Sequence, residues 1–158
     1  MAPRHVERKH DLLNELRSKG LNPVLRTELE TQKTDSLDSY DCLVIDTTGA
    51  LNAWYYASDI VVIGKSFLAQ GGQNPVEAVF AEKPVLLGPN MQNFASLTSD
   101  LITKGGVIQA KDEVELVERI SELLENPEIG VTLSQNANLA LSLHEGASDR
   151  TAELIINW

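Results

Sequence analysis

The sequence predicts an α/β fold, a parallel sheet with helices on both faces, and three observations predict it. Five short apolar runs, at residues 21–26, 41–45, 60–63, 85–87 and 106–109, alternate with helical or polar segments. Apart from the first, these runs carry little polar alternation, the pattern of strands buried on both faces of a parallel sheet. The loops at 46–49, 64–74 and 88–91 each leave the carboxyl end of such a run, where ligands of open α/β sheets bind.

The elements follow in order. Residues 6–19 form a helix, with Leu12, Leu13 and Leu16 as its apolar stripe and Gly20 as its stop. Residues 21–26 are a short strand, and residues 27–39, rich in Thr, Ser and Asp, are a surface loop. After the strand at 41–45, Asp46-Thr47-Thr48-Gly49 opens a helix over 50–57. The strand at 60–63 runs into a glycine-rich loop, 64–73, and then a helix from Pro75 to Ala81. Next come a strand at 85–87, the turn Gly88-Pro89-Asn90, a helix over 92–104 and a strand at 106–109. A strongly amphipathic helix spans 113–124, and two helices fill 127–157 with a break near His144-Glu145-Gly146.

The 158 residues are enough for one domain with one core, and a hydrophobic content of 42% with 23% charged residues is ordinary for a soluble globular protein. No apolar run approaches the ~20 residues of a membrane span, and residues 1–10 lack the apolar stretch of a signal peptide. Cys42 is the only cysteine, which leaves no intrachain disulfide and suits a reducing compartment. The formal charge of −10 argues against nucleic acid as a partner. That charge is uneven: residues 1–26 carry +3 and the rest −13, a distribution better fitted to a small anion than to a polyanion. His5, His10 and His144 lack metal-ligand spacing, and no Walker-type phosphate loop or nucleophile elbow is present.

Gly71-Gly72-Gln73-Asn74-Pro75-Val76-Glu77-Ala78 carries the chemistry. It sets a glycine bend and a freshly capped helix after a buried strand. Backbone N–H groups and the positive end of the helix dipole then point at one place, which suits a phosphate. Glu77 offers an acceptor for ribose hydroxyls beside it. The plain structural account is a capping box, with Asn74 as cap, Pro75 first and Glu77 third. Two glycines exceed what a cap needs and favour close approach of a ligand to the backbone. Thr48 and Gly49 are either an ordinary helix cap or a phosphate and ribose contact. Ser66 is either a turn residue or a phosphate ligand, and Lys65 either solvated or a phosphate partner. Arg4 presents a guanidinium suited to phosphate or carboxylate where a strand hands over to a helix. Trp54, Tyr55 and Tyr56 read as packing residues.

Four strings together resemble the C-terminal half of 3-deoxy-D-manno-octulosonic acid (Kdo) transferases. They are Ala2-Pro3-Arg4-His5-Val6-Glu7-Arg8, Asp46-Thr47-Thr48-Gly49-Ala50-Leu51, Gly64-Lys65-Ser66 with the glycine-glycine string, and Gly88-Pro89-Asn90-Met91-Gln92-Asn93-Phe94. Gly146-Ala147 and Arg150-Thr151 are also similar, so the resemblance covers the whole chain. It implies the C-terminal half of a GT-B glycosyltransferase built of two Rossmann-like domains, with residues 1–158 as a truncated donor-binding domain for CMP-Kdo. Such enzymes move Kdo onto lipid A precursors at the cytoplasmic face of the inner membrane, without a metal or other cofactor at the nucleotide. The resemblance implies donor contacts at Arg4, Thr48, Gly49, Ser66, Gly71, Gly72, Asn74 and Glu77. It places the acceptor site and the catalytic base in an N-terminal domain absent from this soluble fragment, so that no catalytic residue is expected here. Val6 replaces a usual proline, Ala50 a glutamate, Gln73 and Asn90 histidines, and Lys65 a glycine.

Three other readings remain open on the residues. One is the donor domain of another GT-B transferase or a sugar-nucleotide epimerase with a uridine nucleotide. Another is a noncatalytic α/β interaction module whose glycine loop only packs. The last is self-association through an exposed sheet edge.

Overall fold

The structure is a computed structural model that describes residues 1–32, 38–142 and 147–156. They fall into two compact units, Met1–Leu51 and Asn52–Trp158.

In the first unit, helix α1 (Lys9–Ser18) follows a 3-10 turn at Val6–Arg8 and ends at Gly20, as its stripe and stop predict. Gly20 takes φ +83°, and Leu21 N donates to Leu16 O at 3.1 Å while Gly20 N donates to Arg17 O. A glycine in this left-handed position closes the helix without a Cβ penalty. Strands β1 (Pro23–Leu25) and β2 (Cys42–Val44) pair in parallel, Pro23 opposite Cys42 and Leu25 opposite Val44. Leu13 and Leu16 of α1 close over Leu25 and Val44, with Leu12 and Cys42 half-buried beside them.

The expected loop at 27–39 is partly wrong. Arg26–Gln32 is a helix, α2. Glu28 caps it by accepting from Leu25 N, and the Arg26–Glu30 pair one turn apart closes at 2.8 Å. Residues 33–37 of that expected loop lie outside the described residues.

Helix α3 (Leu51–Ala57) leads into the second unit, whose sheet has the order β3 (Val61–Ile63), β4 (Val85–Leu87), β5 (Ile108–Gln109), all parallel. All three residues of β4 are inaccessible, as its unbroken apolar run predicts for a central strand. Helices α5 (Val76–Phe80), α6 (Ala95–Thr103) and α8 (Pro127–Ser142) share a core with β3 and β4 through Ala78, Val79, Leu101, Ala137 and Leu141. On α8, Gly130, Ser134, Ala137 and Leu141 are buried at helical spacing, giving a narrow face of mostly small side chains. The turn before β5 uses that narrowness: a Cβ on Gly106 would stand 2.6 Å from Ala137 Cα.

Helix α7 (Glu113–Glu125) is capped by Asp112, which accepts from Glu115 N at 2.9 Å, while Glu115 accepts from Lys111 N. Helix α9 (Ala147–Ile156) follows, and the expected break at 144–146 lies outside the described residues. Two further expectations change in this unit. The loop 64–73 contains a one-turn helix, α4 (Lys65–Leu68), and the helix expected at 92–104 begins as a 3-10 turn over Gln92–Phe94. Among the described residues, no helix is long and apolar enough to cross a membrane.

Candidate functional site

In the first unit the predicted residues stand on two segments. Arg4 lies on the stretch before α1; it is exposed and, among the described residues, has neither hydrogen bond nor ion pair. Thr48 and Gly49 lie on the turn after β2, both exposed. Gly49 takes φ +85°, and a Cβ there would meet nothing within 4 Å, so backbone conformation alone calls for glycine.

Beneath that turn sits Asp46, a group that the sequence pattern does not single out. Its carboxylate is inaccessible and accepts from Lys9 Nζ at 2.9 Å, Thr27 Oγ1 at 2.7 Å and Thr27 N at 3.2 Å. Burial pushes the carboxyl up, but the hydroxyl of Thr27, the ammonium of Lys9 and the Thr27 amide outweigh it and hold the pKa at about 2. Arg26 Nη1 donates to Thr47 Oγ1 at 3.0 Å. A lone acid closing a buried strand was the signal available in the sequence.

In the second unit the loops after β3 and β4 leave the same edge of a parallel sheet, and the predicted residues of that unit lie on the first loop and the helix it opens. Ser66 is fully buried. Its hydroxyl donates to Ile63 O and accepts from Gly88 N at 2.6 Å, and Asn90 N donates to Ser66 O at 3.0 Å. The hydroxyl proton is therefore committed within the chain, so Ser66 staples the two loops and is not free to donate to a phosphate in this structure.

Packing within the chain also calls for both glycines. Gly71 and Gly72 take φ +93° and +65°, and both are buried. A Cβ on Gly71 would meet Asn93 Nδ2 at 2.7 Å, and one on Gly72 would meet Met91 Sδ at 2.5 Å and Asn90 O at 2.7 Å. The 90–93 segment fills the space into which those side chains would point. Gly71 N donates to Gln92 Oε1 at 2.8 Å, so that amide is taken. The amides of Gly72, Gln73 and Asn74 have no partner among the described residues.

Asn74 does cap: its Oδ1 accepts from Val76 N at 3.1 Å. Glu77 does not complete the box. It is exposed and, among the described residues, has no hydrogen bond or ion pair. Tyr55, packed on the core, feels that carboxylate: burial raises the phenol's pKa, and the charge of Glu77 raises it further. A cleft of about 350 Å³ opens beside Met91, Gln92, Thr98 and Gln109. No charged side chain lines it.

No protein-family model matches the chain. It is 30% identical to the 3-deoxy-D-manno-octulosonic acid transferase of Bordetella pertussis over 158 residues, all of this chain and 36% of that protein. With the corresponding transferase of Haemophilus influenzae the identity is 28%, over 98% of this chain and 36% of that protein. The chain spans about a third of the length of these curated relatives. Among solved structures, the C-terminal CMP-Kdo binding domain of WaaA from Acinetobacter baumannii matches with a TM-score of 0.78 and 25% identity, covering 88% of this chain and 70% of that one. In sequence the chain is therefore a homologue of the 3-deoxy-D-manno-octulosonic acid transferases, and in fold it is the counterpart of a C-terminal domain from that family.

Proposed function

We propose that this chain is the donor-binding domain of a metal-independent Kdo transferase, holding CMP-Kdo while the remaining part of the enzyme presents a lipid A precursor at the cytoplasmic face of the inner membrane. The observation that carries the reading is that the whole chain matches about a third of a Kdo transferase, on the fold of a CMP-Kdo binding domain. The chemistry of the exposed residues supports it. Within the first unit Arg4 offers an exposed cation, and within the second Glu77 offers an exposed acceptor. Unpaired amides at residues 72–74 offer donors to a phosphate oxygen. CMP leaves the sugar as a phosphate monoester, and such donors stabilise the charge that builds on it. The general base and the acceptor contacts belong, in this reading, to the part of the relatives that this chain does not span.

Calorimetry with CMP and UMP in excess EDTA tests it. We expect weak binding of CMP that EDTA leaves intact, weaker binding of UMP, and no transfer of Kdo by these 158 residues alone. Tighter binding of UMP would turn the reading toward a uridine donor. A second reading, a noncatalytic module, is favoured by the internal bonds of Ser66 and Gly71 and by the packing of Met91 and Asn90 against Gly72; binding of neither nucleotide would select it.

A further inference from the structure

We propose that the Lys9–Asp46–Thr27 cluster is a positioning device that holds the Arg4 segment and the Thr48–Gly49 turn in one frame for an anionic ligand. The proposal rests on the donor-binding reading and concerns residues that reading does not use. The Arg4 segment is tied down at both ends to adjacent residues of one strand exit. Ile45 N donates to Met1 O at 2.8 Å, and Lys9 closes on Asp46 at 2.9 Å. The Thr48 turn is tied at the same place from the other side, because the neighbours Arg26 and Thr27 bond to Thr47 and Asp46 respectively. Residues 46 and 47 are thus clamped by two helices, and what remains outside the clamp is the exposed pair Thr48 and Gly49 and the exposed guanidinium of Arg4. An ion pair buried on its acid side is a poor source of stability compared with apolar packing of equal volume. Its advantage is direction: three bonds to one carboxylate fix both segments before a ligand arrives, which lowers the ordering cost of binding.

The test compares Asp46→Asn, Lys9→Met, their double variant and Lys9→Arg with a destabilised control, Leu16→Val, at a temperature where all are folded. For CMP affinity by calorimetry, we expect a loss of at least tenfold in each single variant, no further loss in the double variant, recovery in Lys9→Arg and no change in the control. Unchanged affinity in folded Asp46→Asn, or additive losses in the double variant, would overturn the proposal. Should the unaltered chain bind no CMP, the donor reading falls and amide exchange decides the proposal without a ligand. Exchange at residues 4–8 and 47–49 must then quicken together at least tenfold in Asp46→Asn and not in the control; if the two segments respond separately or not at all, the cluster does not couple them.

Discussion

Glu77 shows how a residue read as half structure and half function separates when its neighbours are known. The string Asn74-Pro75-Val76-Glu77 looks like a complete capping box, yet only Asn74 caps. The carboxylate of Glu77 is exposed and unengaged among the described residues, so its removal costs the fold little. We predict that Glu77→Ala lowers CMP affinity at least tenfold while shifting the melting temperature by less than about 2 °C. Gly72 is the reverse case. Its conformation at φ +65° and the crowding by Met91 and Asn90 O both exclude a side chain. Gly72→Ala should cost about 2–3 kcal/mol in urea unfolding, from backbone strain added to overpacking. The sequence could announce that glycine was required at 71 and 72; it could not say whether a ligand or residues 90–93 required it, because the segment that fills the space lies a whole strand later.

Among elements, strands were legible as short apolar runs, although β3 leaves Val62 exposed and β2 is only partly buried, and helices where apolar spacing or a glycine stop marks them. The ends shifted by a residue or two, as hydrogen-bonded limits do. Helices α2 and α4 were missed for separate reasons. Arg26–Gln32 is short and polar, and what favours it is the Arg26–Glu30 pair and the Glu28 cap. Lys65–Leu68 is flanked by glycines, and its turn is fixed by Ser66, whose bonds reach β3 and the start of the next loop. Ser66→Ala would leave Gly88 N–H buried without a partner, and we expect a loss of about 2 kcal/mol by chemical denaturation. Asp46 makes the first unit sensitive to acid. Its folded pKa of about 2 lies below the ordinary 3.8, so its stabilisation is present above about pH 4 and is lost as the pH falls toward 2. Amide exchange in α1, β1 and β2 should quicken across that window, and Asp46→Asn should flatten the dependence while lowering protection at neutral pH.

At the scale of the whole molecule, the alternation of short strands and helices and the order of four motifs carried the fold and the kinship. The same order brought to notice segments whose residues differ in surroundings. Arg4, Thr48, Gly49 and Glu77 stand exposed, whereas Ser66, Gly71 and Gly72 are enclosed. Asp46, Lys9 and Gln92 escaped notice because each acts on a residue distant in sequence, 37 positions away for the Lys9–Asp46 pair and 21 for Gln92 and Gly71. If the basic first segment meets CMP, as the proposed function has it, that attraction must outweigh the repulsion of an acidic body, and CMP binding should weaken as salt rises. Calorimetry of CMP across a salt series would read this directly, and an affinity independent of salt would count against charge pairing with Arg4.

The lacing between the turns that follow β3 and β4 bears on any attempt at engineering. Ser66 joins Gly88 and Asn90, Gln92 joins Gly71, and Met91 leans on Gly72. A designer who transplants the double-glycine bend alone into another scaffold would export a shape whose mould stays behind. Residues 64–74 and 88–93 form a single cassette, to be exchanged together or left untouched.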